Sequence, residues 1–115
     1  MFRFETLDVW KRSIEVTDKL FDLADDLEAR KRFKFAEQLR GAVLSISNNI
    51  AEGSGSSSKN EFKQFLNYSH RSVFESANMI IICNRRDYLE ELEKQKYMNE
   101  LEQVSKMIVG FSRSL

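Results

Sequence analysis

The stretch Phe35-Ala36-Glu37-Gln38-Leu39-Arg40-Gly41-Ala42-Val43-Leu44-Ser45-Ile46-Ser47-Asn48-Asn49-Ile50-Ala51-Glu52-Gly53 decides how the rest of the chain is read. Turning each residue by about 100°, the helical step, gathers Phe35, Leu39, Ala42, Val43, Ile46 and Ile50 on an arc about 100° wide. That is one face of an amphipathic helix ending near Gly53. Beside the arc runs a polar stripe of Gln38, Ser45, Asn49 and Glu52, and the far side holds Ala36, Arg40, Leu44, Ser47 and Ala51. A solvated helix carries charge on its far side. Small and partly apolar residues there predict that something packs on it.

Downstream, Gly53-Ser54-Gly55-Ser56-Ser57-Ser58 is the one low-complexity segment, and its glycines predict an inter-helix loop. Ser58-Lys59-Asn60-Glu61 then fits a capping box, in which the serine hydroxyl and the glutamate carboxylate satisfy free N–H groups at a helix start. The third helix places Phe62, Phe65, Leu66, Ser69, Val73, Ser76, Ala77, Ile80 and Cys83 on one face. Its run Met79-Ile80-Ile81-Ile82 has strand-like composition, but it sits inside a long 3.6-residue pattern and has no flanking turn residues. Arg85-Arg86-Asp87-Tyr88 is a polar break, after which Tyr97, Leu101, Val104, Ile108, Phe111 and Leu115 step by three and four through a fourth helix. Upstream, Leu7, Trp10, Ile14, Thr17, Phe21 and Ala24 predict a first helix from about Thr6 to Glu28. Its other face carries charge, with Asp8 placed to attract Arg12 one turn on. Four helices with short connections predict an all-α fold, an antiparallel up-and-down four-helix bundle forming a single domain over residues 1–115.

Composition agrees with that reading. The 115 residues include no proline and four glycines, which leaves little to interrupt helices or to shape the turns of an all-β fold. Eighteen basic and 18 acidic side chains give a formal net charge of zero, which argues against a free-standing electrostatic nucleic-acid binder but permits a local basic patch. The single cysteine, Cys83, cannot form an internal disulfide, and the longest apolar run, Met79 to Cys83, is far below the roughly 20 residues of a membrane span. No secretory signal opens the chain, so a cytoplasmic setting without membrane association is expected.

Candidate chemistry is sparse. His70 and Cys83 lie about 220° apart on one helix, so they cannot share a metal-ligand sphere within a monomer. One histidine also excludes the paired Glu-x-x-His motifs of di-iron bundles, and the Gly53-Ser54-Gly55 loop lacks the Gly-Lys-Ser/Thr ending of a phosphate-binding loop. Glu52 and Glu75 resemble an acid/base pair only if a cleft joins them; a packed polar network is the simpler reading. No cofactor, metal or catalytic residue is expected. Two surface features remain. Leu44, Phe74, Met79, Ile81 and Ile82 lie off the main arcs of the two central helices, predicting a subunit interface at Leu44, Phe74, Ile81 and Ile82, or else an irregular bundle that buries them. The basic residues Arg30, Lys31, Arg32, Lys34 and then Lys59, Lys63, His70, Arg71, Arg85 and Arg86 form clusters. From Lys59 to Arg86 five Lys or Arg face two Glu, a surplus that an oligomer would repeat into a phosphate-binding surface; the alternative is an ordinary solvated face.

The segment Gln38 to Gly55 resembles the signature of the four-helix bundle family of 23S ribosomal RNA intervening sequence proteins, also called S23 ribosomal proteins. The family pattern is Gln-Leu-Arg-Arg-Ala followed by Ser-Ile-Pro-x-Asn-Ile-Ala-Glu-Gly. Here Gln38, Arg40, Ser45, Asn49, Glu52 and Gly53 carry the match, while Gly41 replaces the second arginine and Ser47 the proline, a change that removes a source of kinking. Phe4 to Lys11, Glu61 to Leu66, and Ser72 with Glu75 are similar to further family segments. The resemblance implies an antiparallel four-helix bundle that assembles as a homo-oligomer, typically a homopentamer, in bacteria, with no established enzymatic activity and no cofactor. A related accessory protein of diversity-generating retroelements has the same ring architecture and binds nucleic acid and a reverse transcriptase. RNA or nucleoprotein binding is the expectation that follows, with Arg30, Lys31, Arg32, Arg40, Lys59, Lys63 and Arg71 as the contacts. A protein–protein adaptor or scaffold with no direct nucleic-acid binding is the alternative.

Overall fold

A computed structural model describes residues 1–115. After a short 3-10 turn at Arg3–Thr6, four helices follow: α1 Asp8–Ala29, α2 Phe33–Ser54, α3 Lys59–Arg85 and α4 Glu91–Ser114. Each helix packs on the next in the chain, α4 also packs on α1, and the backbones of the diagonal pairs stay farther apart. The body is a four-helix bundle measuring 44 × 21 × 20 Å. Its core joins Val16, Leu20 and Leu27 of α1, Leu39, Val43, Ile46 and Ile50 of α2, Phe62, Leu66 and Ile80 of α3, and Leu101, Val104 and Ile108 of α4.

Three elements depart from the sequence reading. In α1 the buried positions are Val9, Ser13, Val16, Thr17, Leu20, Leu23, Ala24 and Leu27, an arc centred about 90° from the predicted one. Of the predicted set, Thr17 and Ala24 are buried, and Leu7, Trp10 and Phe21 cover the edge of the core. The far side of α2 is not uniformly outward: Ala36 and Ser47 are buried, because α2 is flanked by α1 as well as α3. Met79 is also buried, whereas Leu44, Phe74, Ile81 and Ile82 remain exposed.

The glycine-serine segment is shorter as a loop than its composition suggests. α2 continues through Gly53 and Ser54, both buried, and the Ser54 hydroxyl donates to the Ala51 carbonyl at 2.8 Å. A Cβ on Gly53 would lie 2.7 Å from Phe65 Cβ and 2.8 Å from the Phe62 ring, so this glycine serves a close helix approach rather than flexibility. At the start of α3 the Glu61 N–H donates to the Ser58 hydroxyl at 3.1 Å. The serine half of the expected capping box forms; the bond back from the Glu61 side chain does not.

The other two connections are built without glycine. Lys31 (φ 65°) and Asp87 (φ 62°) adopt the left-handed conformation just past the ends of α1 and α3. Around them Lys31 N–H donates to Glu28 O and Arg32 N–H to Leu27 O, and Asp87 N–H donates to Asn84 O and Tyr88 N–H to Cys83 O. These are paired Schellman closures, which satisfy helix-end carbonyls while reversing the chain.

Candidate nucleic-acid interface

The basic residues predicted from sequence divide between the two ends of the bundle. Arg30, Lys31 and Arg32 sit in the α1–α2 turn and meet the α3–α4 turn: Arg30 donates to the Tyr88 carbonyl at 2.6 Å and pairs with Asp26 at 2.9 Å. The Arg32 guanidinium lies 4.7 Å from the centroid of the Tyr88 ring. This fastens the two turns together. Lys59 and Lys63 start α3 at the other end, separated by the length of α2, about 33 Å for its 22 residues. Arg71 is exposed two turns beyond Lys63.

Arg40 is committed within the chain. Its guanidinium bonds Asp25 at 2.6 Å and Glu28 at 3.1 Å, both on α1. The hydrogen bond it donates to Asp25, then, against desolvation, the hydrogen bond to Glu28 and the charges of both carboxylates hold the group more firmly protonated than an ordinary arginine. It clamps α1 to α2.

The remaining motif residues gather along α2 and its junction with α3. Ser45 donates to Gly41 O at 2.9 Å and the Asn49 amide donates to Ser45 O at 2.8 Å, so both polar side chains are turned back onto their own helix. Gln38, Gly41, Ser45, Ser72 and Glu75 border an open α2/α3 groove of about 680 Å³. Glu52 is absent from it, so Glu52 and Glu75 do not form a pair across one cleft. A Cβ at position 41 would meet nothing within 4 Å, so no close approach requires a glycine there.

His70 and Cys83 also stay apart. His70 Nε2 bonds the Ser105 hydroxyl at 2.8 Å. Cys83 is fully buried, and that burial pushes its thiol up to about 11 even with the Arg30 charge nearby, so little nucleophilic thiolate forms at neutral pH. No three His, Cys, Asp or Glu side chains are grouped to hold a metal ion, and no helix is long and apolar enough to cross a membrane.

A cleft of about 780 Å³ between α1, α4 and the α3–α4 turn has the opposite character. Asp22, Asp26, Asp87, Glu90, Glu91 and Glu93 border it, and desolvation followed by the charges of Glu93, Asp22 and Asp26 pushes the Tyr97 phenol up. Lys59, Lys63 and Arg71 lie on the α3 surface away from that cleft.

Residues 5–110 match the family model described as 23S rRNA-intervening sequence protein. The chain belongs to that family. A crystal structure of a protein of unknown function from the S23 ribosomal protein family, from Bacteroides thetaiotaomicron VPI-5482, is similar with a TM-score of 0.86. The two are 21% identical, with 90% of this chain and 97% of the other covered, a likeness that carries the fold. No curated protein matches the chain.

The cations that cluster in the sequence lie on α3 and the α1–α2 turn, and α4 adds two outside any such cluster, Lys106 and Arg113. Residues 105–115 contain both of these and no Asp or Glu, a signal visible once α4 is read for charge as well as for apolar spacing. Tyr88, which holds Arg30 and Arg32, carried no such signal, because its position depends on the two turns meeting.

Proposed function

We propose that this family member is a non-enzymatic helical module that self-associates into a closed ring, a homopentamer on the family resemblance, and contributes to RNA or nucleoprotein binding in the bacterial cytoplasm. The observation that carries this reading is the exposure of large apolar side chains on two separate flanks: Leu44 is 43% exposed, Phe74 65% and Ile81 38%. By helical rotation Leu44 points about 140° away from the α3 side of α2, whereas Phe74 and Ile81 lie toward the α4 side of α3. Two unlike patches on one subunit suit a heterologous, head-to-tail contact, the kind that closes into rings. A ring repeats each subunit's free cations, so a neutral chain acquires a multivalent phosphate-binding surface. The single cysteine, unable to form an internal disulfide, is consistent with a reducing compartment.

A salt series on RNA affinity tests the binding half of the reading: several phosphate contacts predict a steep loss of affinity from low to physiological salt, and no measurable binding at low salt contradicts it. Co-purification from the native host tests the adaptor alternative, which predicts a stoichiometric protein partner retained at high salt.

A further inference from the structure

We propose that the groove between the N-terminal half of α3 and the C-terminal half of α4 seats a phosphate group of an RNA strand; the choice of RNA rests on the function proposed above. Lys63, Asn67 and His70 border the groove from α3, and Ser112 and Arg113 from α4, over a floor that includes the buried Ile108. Lys63 and Arg113 are exposed, and neither has an ion-pair partner. In contrast, Arg12, Lys19, Arg30, Arg40 and Lys94 are each bonded to a carboxylate.

No carboxylate borders the groove. Two free cations therefore face a concave site whose other polar groups, the Asn67 amide and the Ser112 hydroxyl, can donate hydrogen bonds to an anion. One wall is fixed in place, because the His70 ring is held by Ser105 at 2.8 Å and packs 5.0 Å from the Phe74 centroid. The surroundings extend the positive field: Lys59 lies one turn before Lys63, and Arg71 and Lys106 lie beyond the groove. Glu61, the acid nearest in sequence to Lys63, points about 160° away from it around α3.

Size selects the ligand. At about 210 Å³ the groove holds several times a water's share of volume, roughly 30 Å³, which is room for a phosphate but not for burial of a strand. The nucleosides on either side would pass over the outer surface. Arg113 also sits in the last turn of α4, where it offsets the partial negative charge of the terminal carbonyls; that role affects helix stability and not the salt dependence of RNA binding.

The test titrates a short labelled single-stranded RNA against the full chain, the Lys63→Ala/Arg113→Ala variant and a Lys11→Ala/Lys96→Ala control, two exposed lysines outside the basic clusters, with melting followed by circular dichroism. The groove variant is expected to bind at least tenfold more weakly at low salt, and the slope of log affinity against log salt should flatten by about 1.4. The control should keep the wild-type slope, and Lys63→Arg should retain binding. If the groove variant binds RNA as the wild type does, or the control loses as much, the phosphate seat is overturned while nucleic-acid binding stands. If wild type binds no RNA at low salt, the proposed function itself fails. Amide shifts at Asn67 and Ser112 produced by inorganic phosphate or anionic lipid vesicles, without RNA binding, would assign the groove to another phosphate source and overturn the RNA assignment.

Discussion

At Gly53 the α2 backbone lies against Phe62 and Phe65 with no space for a methyl group. Gly53→Ala should therefore destabilise the bundle by about 1–3 kcal/mol, the range for overpacking, measured as a lower urea midpoint at unchanged m-value. Composition alone marked this glycine as part of a loop, because two glycines among serines look the same whether they bend the chain or let two helices touch. Lys31 poses the reverse problem: a left-handed residue without a Cβ would be expected at this helix end, yet a lysine occupies it. Lys31→Gly should stabilise the fold by about 1 kcal/mol, by removing the Cβ crowding of the left-handed conformation, and thermal melting checks it. Neither Schellman turn was legible as such from residue types. Both depend on hydrogen bonds to carbonyls that Leu27 and Cys83 present after their helices have formed.

Among the elements, α2, α3 and α4 present the apolar faces that their spacing predicts, because each has one dominant arc. α1 is apolar on two adjacent arcs, so periodicity could not say which one faces inward; contact with both α2 and α4 decides it. The seam between α1 and α4 is closed partly by charge. Arg12 and Lys19 both reach Glu100, at 2.9 and 2.8 Å, and Arg12 turns to Glu15 rather than to the expected Asp8. Desolvation alone would raise the Glu100 carboxyl, but the hydrogen bonds and charges of Lys19 and Arg12 outweigh it and hold the group below its usual range. A carboxyl depressed in the folded state contributes stability above its unfolded value, about 4.3, and loses that contribution as pH falls through the folded one. Glu100→Gln should cost about 1 kcal/mol at neutral pH, and the difference from wild type should shrink below about pH 4 in pH-resolved urea melts.

At the scale of the whole molecule, a net charge of zero conceals an uneven distribution. Acids border the α1/α4 cleft, whereas unpaired cations border the α3/α4 groove toward the other end of the bundle. Total charge could not show this, and although an up-and-down order of helices already sets Arg30–Arg32 and Lys59–Lys63 at opposite ends, only the fold shows Arg30 and Arg32 taken up by Asp26 and Tyr88. The exposed apolar residues were legible, since Leu44, Phe74, Ile81 and Ile82 fall off the core arcs in both sequence and structure. That Leu44 and the Phe74–Ile81 pair fall on separate flanks, with Ile82 beside the α2/α3 groove, emerges only from the bundle. Leu44→Glu or Ile82→Glu should dissociate the proposed ring while leaving helicity intact, because a charge placed in an interface must be desolvated on association but costs little on an exposed monomer surface. Self-association is the central claim, since the summed positive surface depends on it. Light scattering of the wild-type protein at micromolar concentration tests it most directly: the account predicts five times the 13.5 kDa chain mass, and a particle of 13.5 kDa would contradict it.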